Sequence, residues 1–405
     1  MNIARYNVGG CSWNSINKET MVVSPKIPKF KQVEGFWLNW DSTDPNSSSW
    51  KWDVDKKQQE MMQKAKVRGA NKFELFSNSP MWWMLNNHNP SGADNGGNNL
   101  QSWNYDKFAI YLATVAKYAS DHWGINFASV EAFNEASSDW WKSGGTQEGC
   151  HISSEVQQKL IEYLRSELDK RGLHNTIISA SDETSYDLAI TVWNSFSSVT
   201  KSKVGRVNVH GYQYKGGKRD LLYKIVQDDK KALWNSEYGE GDSNGMPLAE
   251  NLSLDLYWLH PTAWVYWQPF DYGGWGLIQA DGTNGWLGPV NTKYYVLAQY
   301  SRHIRKGMHI IDSGNSDTVA AYDHLSHRLA IVTLNHGTAQ SITYDLSNFS
   351  KVSGDGAGLV RRWITDTGSG EHYVMHNDLH LNGKSLTASF TANTVQTFEI
   401  DNVLI

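Results

Sequence analysis

Two cysteines, Cys11 and Cys150, are all that the 405 residues contain. No metal-ligand spacing involves them, and the 14 histidines show no His-Glu-x-x-His pattern. A thiolate or imidazole metal centre is therefore not expected. What remains open is a pair of unrelated thiols or one disulfide; the sequons at Asn46, Asn251 and Asn348 are compatible with secretion, where a disulfide would persist. No apolar run reaches the length of a membrane-spanning helix. Charge of one sign is also lacking: the formal net charge is -5 with both signs interspersed, so no basic stripe points to nucleic acid. There is no Gly-x-Gly-x-x-Gly and no phosphate-binding loop, which removes the usual nucleotide signatures. No signal-peptide pattern precedes Asn2. No cofactor, metal, nucleic acid or membrane partner is expected, and the chain is expected to be a monomer.

What the chain has in abundance is aromatic surface with a polar handle: 19 tryptophans and 19 tyrosines. Many stand in polar, loop-like contexts, "SPMWWM", "SSDWW", "YGGWG" and "TNGWLG". A Trp-rich core is one explanation. Aromatics lining a cleft are the other, and they suit a ligand with flat apolar faces and polar edges, the form of a sugar. With 40% hydrophobic and 20% charged residues the chain is globular, and its length allows one large or two medium domains.

Up to about residue 304, strand-like runs alternate with helix-like ones. The strands are "NIARYNVGG", "NKFELFSNS", "FASVEAFNE", "TIISASDE", "GRVNVHGYQ", "KALWNSEYG" and "AWVYWQPF". The clearest helix spans Ser154–Lys170. Ser154 and Gln157 offer a capping box, Val156, Leu160, Ile161, Leu164 and Leu168 form one stripe, and Gly172 closes it. Helices are also expected over Asp55–Val67, Tyr105–His122 and Lys293–Ile304. Repeated strand–helix units imply a parallel sheet. The expectation is an α/β fold, a (β/α)8 barrel with one unit missing, over residues 1–304. From 305 to 405 helical periodicity vanishes and alternating runs such as "TVAAYDHL" and "RLAIVTLN" predict an antiparallel β-sandwich domain.

In such a barrel the reactive groups sit at the C-terminal ends of strands. Read in order, these ends carry Arg5 and Asn7, Asn134 and Glu135, Asp182 and Glu183, His210 and Tyr212, Glu237, and Trp267. Glu135 and Glu237 end the third and sixth strands, and two carboxyl groups facing across a barrel mouth are what glycoside hydrolysis requires. One must be protonated to release the leaving oxygen, the other ionised to attack the anomeric carbon. Arg5 and the Tyr212 hydroxyl are placed to keep Glu237 anionic. Aromatics behind Glu135 favour its neutral form, and Asn134 is placed to donate to the sugar 2-hydroxyl. Taken singly, each Glu is as well explained as a solvated loop carboxylate; the joint pattern is not. Asp182 and Glu183 are candidates for binding sugar hydroxyls. Glu240 and Asp242 read as loop residues, and Glu148 has no role that spacing assigns.

"NIARYNVGG", "EAFNE", "TQEGCH", "SASDE", "VHGYQY", "LWNSEYGEGD" and "AWVYWQPF" together resemble glycoside hydrolase family 30, in order and across nearly the whole chain. The closest likeness is to its fungal endo-β-1,6-galactanase branch. The resemblance implies a metal-free retaining glycosidase with Glu135 as general acid/base and Glu237 as nucleophile. It implies supporting positions at Arg5, Asn134, Tyr212 and Trp267, and an extracellular polysaccharide as substrate. Asp182, His210 and Trp275 complete the expected substrate-binding set. Galactan of the arabinogalactan side-chain type is the expected substrate. A β-1,6-glucanase, an exo-galactobiohydrolase and an inactive carbohydrate-binding relic are the alternatives. Family members begin with a sandwich strand and then the first barrel strand, whereas this chain opens on what matches the second. The expectation is a truncated chain, with the strands at Asn2 and Ala263 each short of one lateral partner and Ile3 and Val265 unusually exposed.

Overall fold

The structure, a computed structural model, describes residues 2–368 and 370–405. Seven strands form one sheet in the order of the chain: β1 (Ile3–Asn7), β2 (Lys72–Phe76), β3 (Phe127–Glu131), β4 (Ile177–Glu183), β5 (Val204–His210), β6 (Ala232–Tyr238) and β7 (Ala263–Tyr266). The ladders joining β1 to β5 are parallel. Parallel neighbours need long crossovers, and helices supply them. These are α1 (Lys56–Val67), α2 (Tyr105–Tyr118), α3 (Ser154–Lys170), α4 (Tyr186–Ser195), α5 (Ser198–Lys203), α6 (Arg219–Asp228), α7 (Met246–Leu254) and α8 (Thr292–Ser301). This is the topology of a (β/α) barrel built on seven strands, as the alternating pattern predicts. Strands β2 to β6 are almost wholly buried, while β1 and β7, the two ends of the order, are mostly half-buried, Ile3 and Val265 among them.

The chain divides into two compact units, Met1–Gln213 with Gly217–Ser236, and Tyr214–Gly216 with Glu237–Ile405. The second unit carries two antiparallel sheets, besides smaller ladders. One runs β8 (His309–Ile311), β9 (Thr318–Asp323), β10 (Arg328–Asn335), then β15 (Thr394–Ile400), β12 (Leu359–Asp366) and β13 (His372–His380); the other pairs β11 (Gln340–Asp345) with β14 (Ser385–Phe390). In the larger sheet β9, β10 and β15 are buried on both faces, while β8 and β13 are largely exposed. Ala320, Tyr322, Ile331 and Phe398 pack against Leu386, Ala388 and Phe390 of the smaller sheet. The alternate residues Val319, Val332, Leu334 and Val395 share a core with Leu248 and Leu252 of α7 and Val296 and Tyr300 of α8. The alternation read from these runs does not appear in their burial: β9, β10 and β15 are buried almost throughout, β15 with polar Gln396 and Glu399 among its apolar residues, whereas β11 alternates.

Helix α3 shows where the periodicity is reliable and where local chemistry is overruled. Val156, Leu160, Ile161, Leu164 and Leu168 are all buried, each contributing about 1.5–3 kcal/mol when fully sequestered. Gly172 adopts φ 73°, and Leu173 N–H returns to the Leu168 carbonyl at 2.9 Å, closing the helix as expected. The capping box does not form. The N-cap is Ser153, without a side-chain cap bond, and Gln157 turns inward to donate to the Ile152 carbonyl at 2.9 Å. A side chain with no exposure spends its polar atoms on the interior.

The long segments after β1, β2 and β3 hold much of the tryptophan. Trp37, Trp50 and Trp52 stack in sequence at 4.8 and 5.2 Å with interplanar angles of 8° and 9°. Contrary to the cleft-lining expectation, Trp82 and Trp83 of "SPMWWM" and Trp141 are buried and form the loops' own core; Trp140 and Trp286 are exposed. Among the described residues no helix is long and apolar enough to cross a membrane. Cys11 and Cys150 are free thiols, both buried. The disulfide alternative is therefore set aside. The Cys11 thiol donates instead to Glu148 Oε1 at 3.0 Å, joined by Gly10 N–H at 3.2 Å. Glu148 thus ties the loop after β3 to that after β1. Burial pushes its carboxyl up to about 8, against the pull of these two donors. Burial and the neighbouring Glu148 raise the Cys11 thiol, and burial lifts Cys150 to about 12, so neither is a nucleophile at neutral pH. Titration with a chromogenic disulfide reagent is expected to find no reactive thiol in the native protein and two in denaturant. Intact mass should be identical with and without reductant; a difference of two hydrogens would show a bridge.

Candidate active site

The site rests on a polar layer inside the sheet. Arg5 and Glu74 are register partners on β1 and β2, and Glu74 pairs with Ser129 on β3. The Glu74 carboxylate is fully buried and accepts from Arg5 Nε (2.8 Å), Ser129 Oγ (2.8 Å), Ser179 Oγ (2.9 Å) and Asn208 Nδ2 (3.1 Å), and from Arg206 Nη2. Burial alone would raise its pKa; the Arg206 and Arg5 guanidinium groups outweigh that and hold it below the usual range. Alternation along the strands aims these residues the same way, because side chains two apart share a face.

One step toward the strand ends, the same arginine reaches the candidate residues. Arg5 Nη2 pairs with Asp182 on β4, and Arg5 Nη1 donates to the Ser236 carbonyl at 3.2 Å. Ser236 Oγ donates to Asp182 Oδ1. Burial pushes the Asp182 carboxyl up, but Arg5, His210 and Ser236 prevail and keep it well below the ordinary carboxylate range. His210, at the end of β5 and without exposure, stands between two carboxyl groups. Its Nε2 is 3.2 Å from Asp182 Oδ2 and its Nδ1 is 3.0 Å from Glu135 Oε1. Glu135 itself has φ 49°, the left-handed region that non-glycine residues seldom occupy. Its N–H donates to the Asp182 carbonyl at 2.8 Å, and its carbonyl accepts from Ser138 N–H and Trp141 Nε1, both at 3.0 Å. Arg5, Asp182, His210 and Glu135 are thus one connected set, and Asn134 is buried beside it in the chain. Tyr212 lies two residues beyond β5 rather than on it, its ring 5.8 Å from that of His210.

Glu237 follows Ser236 on β6 and is 7% exposed. Beyond it, Gly239 is overlaid by two of the expected aromatics: a Cβ there would stand 2.4 Å from the Trp267 carbonyl oxygen and 3.2 Å from the Trp275 ring. The Trp267 N–H donates to the Tyr238 carbonyl at 2.8 Å, and the Tyr266 hydroxyl donates to the Trp275 carbonyl at 2.7 Å. Glu240 is no free loop residue: the fully buried Lys293 donates to its Oε1 and its carbonyl, each at 2.8 Å.

Two buried carboxyls differ from the expected set. Glu183 does not join Asp182 inside the sheet; it turns toward α3 and the loop after β3, where Ser137 Oγ donates at 2.8 Å. Glu131 has no exposure, and neither of its oxygens has a hydrogen-bond partner among the described residues. Burial, then Asp182 and Glu74, raise it well above a normal Glu. Sequence reasoning missed Glu74, Arg206, Ser236 and Lys293. The signal for the first two was available: a charged residue at an inward parity of "NKFELF" and "GRVNVH" must be paired if buried.

The profile of the family described as O-Glycosyl hydrolase family 30 matches residues 1–194. An endo-β-1,6-galactanase from Hypocrea rufa is 53% identical over 404 residues, covering 100% of this chain and 84% of that relative. An exo-β-1,6-galactobiohydrolase from Bifidobacterium longum is 23% identical over 380 residues, 70% of this chain and 25% of that protein. Among solved structures, a family 30 subfamily 8 xylanase from Clostridium acetobutylicum shares the fold, with TM-score 0.73, 19% identity, and coverage of 99% of this chain and 89% of that one.

Two predictions test this architecture. A Glu with a raised folded-state pKa supports stability fully below its unfolded value, about 4.3, and loses that support as pH rises. Glu131→Gln should therefore match the wild-type Tm near pH 4 and exceed it by a margin that grows toward pH 8; a pH-independent gap would contradict the raised carboxyl. Gly239→Ala should cost about 1–3 kcal/mol by overpacking against the Trp267 backbone, measured by denaturant unfolding. An unchanged midpoint would show that the Trp267 and Trp275 segments yield freely.

Proposed function

The chain belongs to O-Glycosyl hydrolase family 30, and on that premise we propose that it cleaves β-1,6-linked galactan internally, by retaining double displacement. Glu135 is the general acid/base and Glu237 the nucleophile. The observation that carries the chemistry is the held carboxyl: His210 engages Glu135 Oε1, leaving Oε2 for the glycosidic oxygen. His210 is in turn oriented by an Asp182 that Arg5 keeps ionised. The substrate is carried by the 53% identity to the Hypocrea rufa enzyme.

In this reaction Glu135 protonates the leaving oxygen while Glu237 attacks the anomeric carbon. Glu135, now ionised, then takes a proton from the water that releases the glycosyl group. Asn134 donates to the sugar 2-hydroxyl. Arg5 holds Asp182 and the Ser236 carbonyl that precedes Glu237, Asp182 and His210 order the acid side, and Trp267 and Trp275 offer apolar faces to the rings. The enzyme works outside the cell as a monomer.

Product analysis on β-1,6-galactan tests the reading. Mixed-length oligosaccharides released early, with the β-anomer formed first by NMR, are expected. Glu135→Gln should lower turnover by about 10²–10⁴-fold, and Glu237→Gln should abolish it, with both variants folded. Release of disaccharide alone would favour the exo mode of the Bifidobacterium longum relative, the α-anomer first would exclude retention, and binding without turnover would favour a non-catalytic carbohydrate-binding protein.

A further inference from the structure

We propose that Glu183 is a positioning residue for Glu135, gripping from behind the turn that carries it. This rests on the reading of Glu135 as the acid/base. Glu135 stands at φ 49° and Asp182, whose carbonyl receives its N–H, at φ 56°. Two non-glycine residues in the left-handed region persist only where the surroundings hold them. The peptide groups of Glu135 are held by the Asp182 carbonyl, Ser138 N–H and the Trp141 indole. Ala136 follows, its carbonyl accepting from Ile152 N–H at 2.8 Å, and then Ser137, which Glu183 takes with both oxygens: Oε1 accepts from Ser137 Oγ at 2.8 Å and Oε2 from Ser137 N–H at 3.4 Å. Gln157 of α3 braces the arrangement, its Nε2 lying 3.2 Å from Ser137 Oγ and 3.4 Å from Glu183 Oε1. Ser181 Oγ adds a contact at 3.3 Å to Oε1.

The chain has placed a carboxyl group, without exposure, among neutral partners. The elements packed around it carry Glu131 on β3, Glu135 and Asp139 on the turn, His151 before α3, Glu155, Lys159, Glu162, Tyr163, Arg165, Glu167, Asp169 and Lys170 on α3, Asp182 on its own strand, Tyr186 and Asp187 on α4, and Arg206 and His210 on β5. Its hydrogen-bond partners are Ser137, Gln157 and Ser181, none of which carries charge. An ionised carboxylate accepts at both oxygens, whereas a protonated one turns one oxygen into a donor and loses an acceptor for Ser137. Burial pushes Glu183 up to about 7, against the hydrogen bonds from Ser137, Gln157 and Ser181. The grip on the turn is therefore complete above neutral pH and relaxes as pH falls through about 7.

The test compares wild type, Glu183→Gln and Ser137→Ala from pH 5 to 8 on a β-1,6-galactan oligosaccharide, with Glu135→Gln as reference. The Trp141 indole N–H resonance, identified through Trp141→Phe, is followed in parallel as a readout that needs no turnover. Wild type should show an ionisation near pH 7 in kcat and in the Trp141 resonance. Glu183→Gln should lack it, matching wild type at pH 5 and falling about tenfold slower at pH 8, the scale of a slightly misplaced catalytic group, with KM within twofold. Ser137→Ala should shrink the step, and decides the matter if Glu183→Gln does not fold. A kcat profile and a Trp141 titration unchanged in Glu183→Gln would overturn the positioning role. Should Glu135→Gln keep full activity, the acid/base reading fails by itself, and the Trp141 titration still decides whether Glu183 holds the turn.

Discussion

The site depends first on the buried carboxylate of Glu74. Five donors from four other strands converge on it, and two are guanidinium groups. An ion stripped of water is costly unless every lone pair is met, so removing a partner leaves an uncompensated charge at a penalty of about 3–5 kcal/mol. Such a layer constrains register. A one-residue slip of β1 or β5 would carry Arg5 or Arg206 to the other face and strand the carboxylate.

From this layer order passes toward the strand ends through Arg5. The same guanidinium touches Glu74 below, Asp182 above and the Ser236 carbonyl, the peptide group that precedes Glu237. Asp182 is ionised because Arg5 is there, and His210 faces it on one nitrogen and Glu135 on the other. The Glu135 side of the site is thus held by a chain of charge-assisted contacts whose far end is structural. Aromatic residues serve a related purpose further out: the Trp37, Trp50 and Trp52 stack and the buried Trp82, Trp83 and Trp141 give long loops a core of their own. Loops built in this way can carry residues such as Glu135 without a helix or strand to fix them.

The legible part of the fold was periodic. The stripe of α3 could be read because burial repeats at 3.6 residues and leaves that period in the sequence, and the seven strand runs because they recur between helix-like segments. The segments of β9, β10 and β15 were read as strands from alternation between turn residues, and the structure buries both of their faces. The capping box failed because Gln157 has two possible uses for one amide, and only the depth of the site selects between them. The tryptophan contexts misled in the same way: "SPMWWM" is polar in its neighbours but buried by loops distant in sequence.

The sequence by itself determined the class of the fold, the candidate carboxyls at strand ends and the absence of any metal or nucleotide signature. These are local properties, written in spacing and residue type. Only the tertiary structure decided that Cys11 donates to Glu148 rather than bridging to Cys150, and that Asp182 faces Arg5 while its neighbour Glu183 faces Ser137. The strand is irregular here, with Asp182 at φ 56° and a register shift between Ser181 and Glu183, so the position in the chain does not set which way each carboxyl turns. Which partner each finds depends on side chains 46 to 177 positions away. Hydrogen bonds and ion pairs at that range leave no period in the sequence, and so the electrostatic identity of each carboxyl is settled by packing alone.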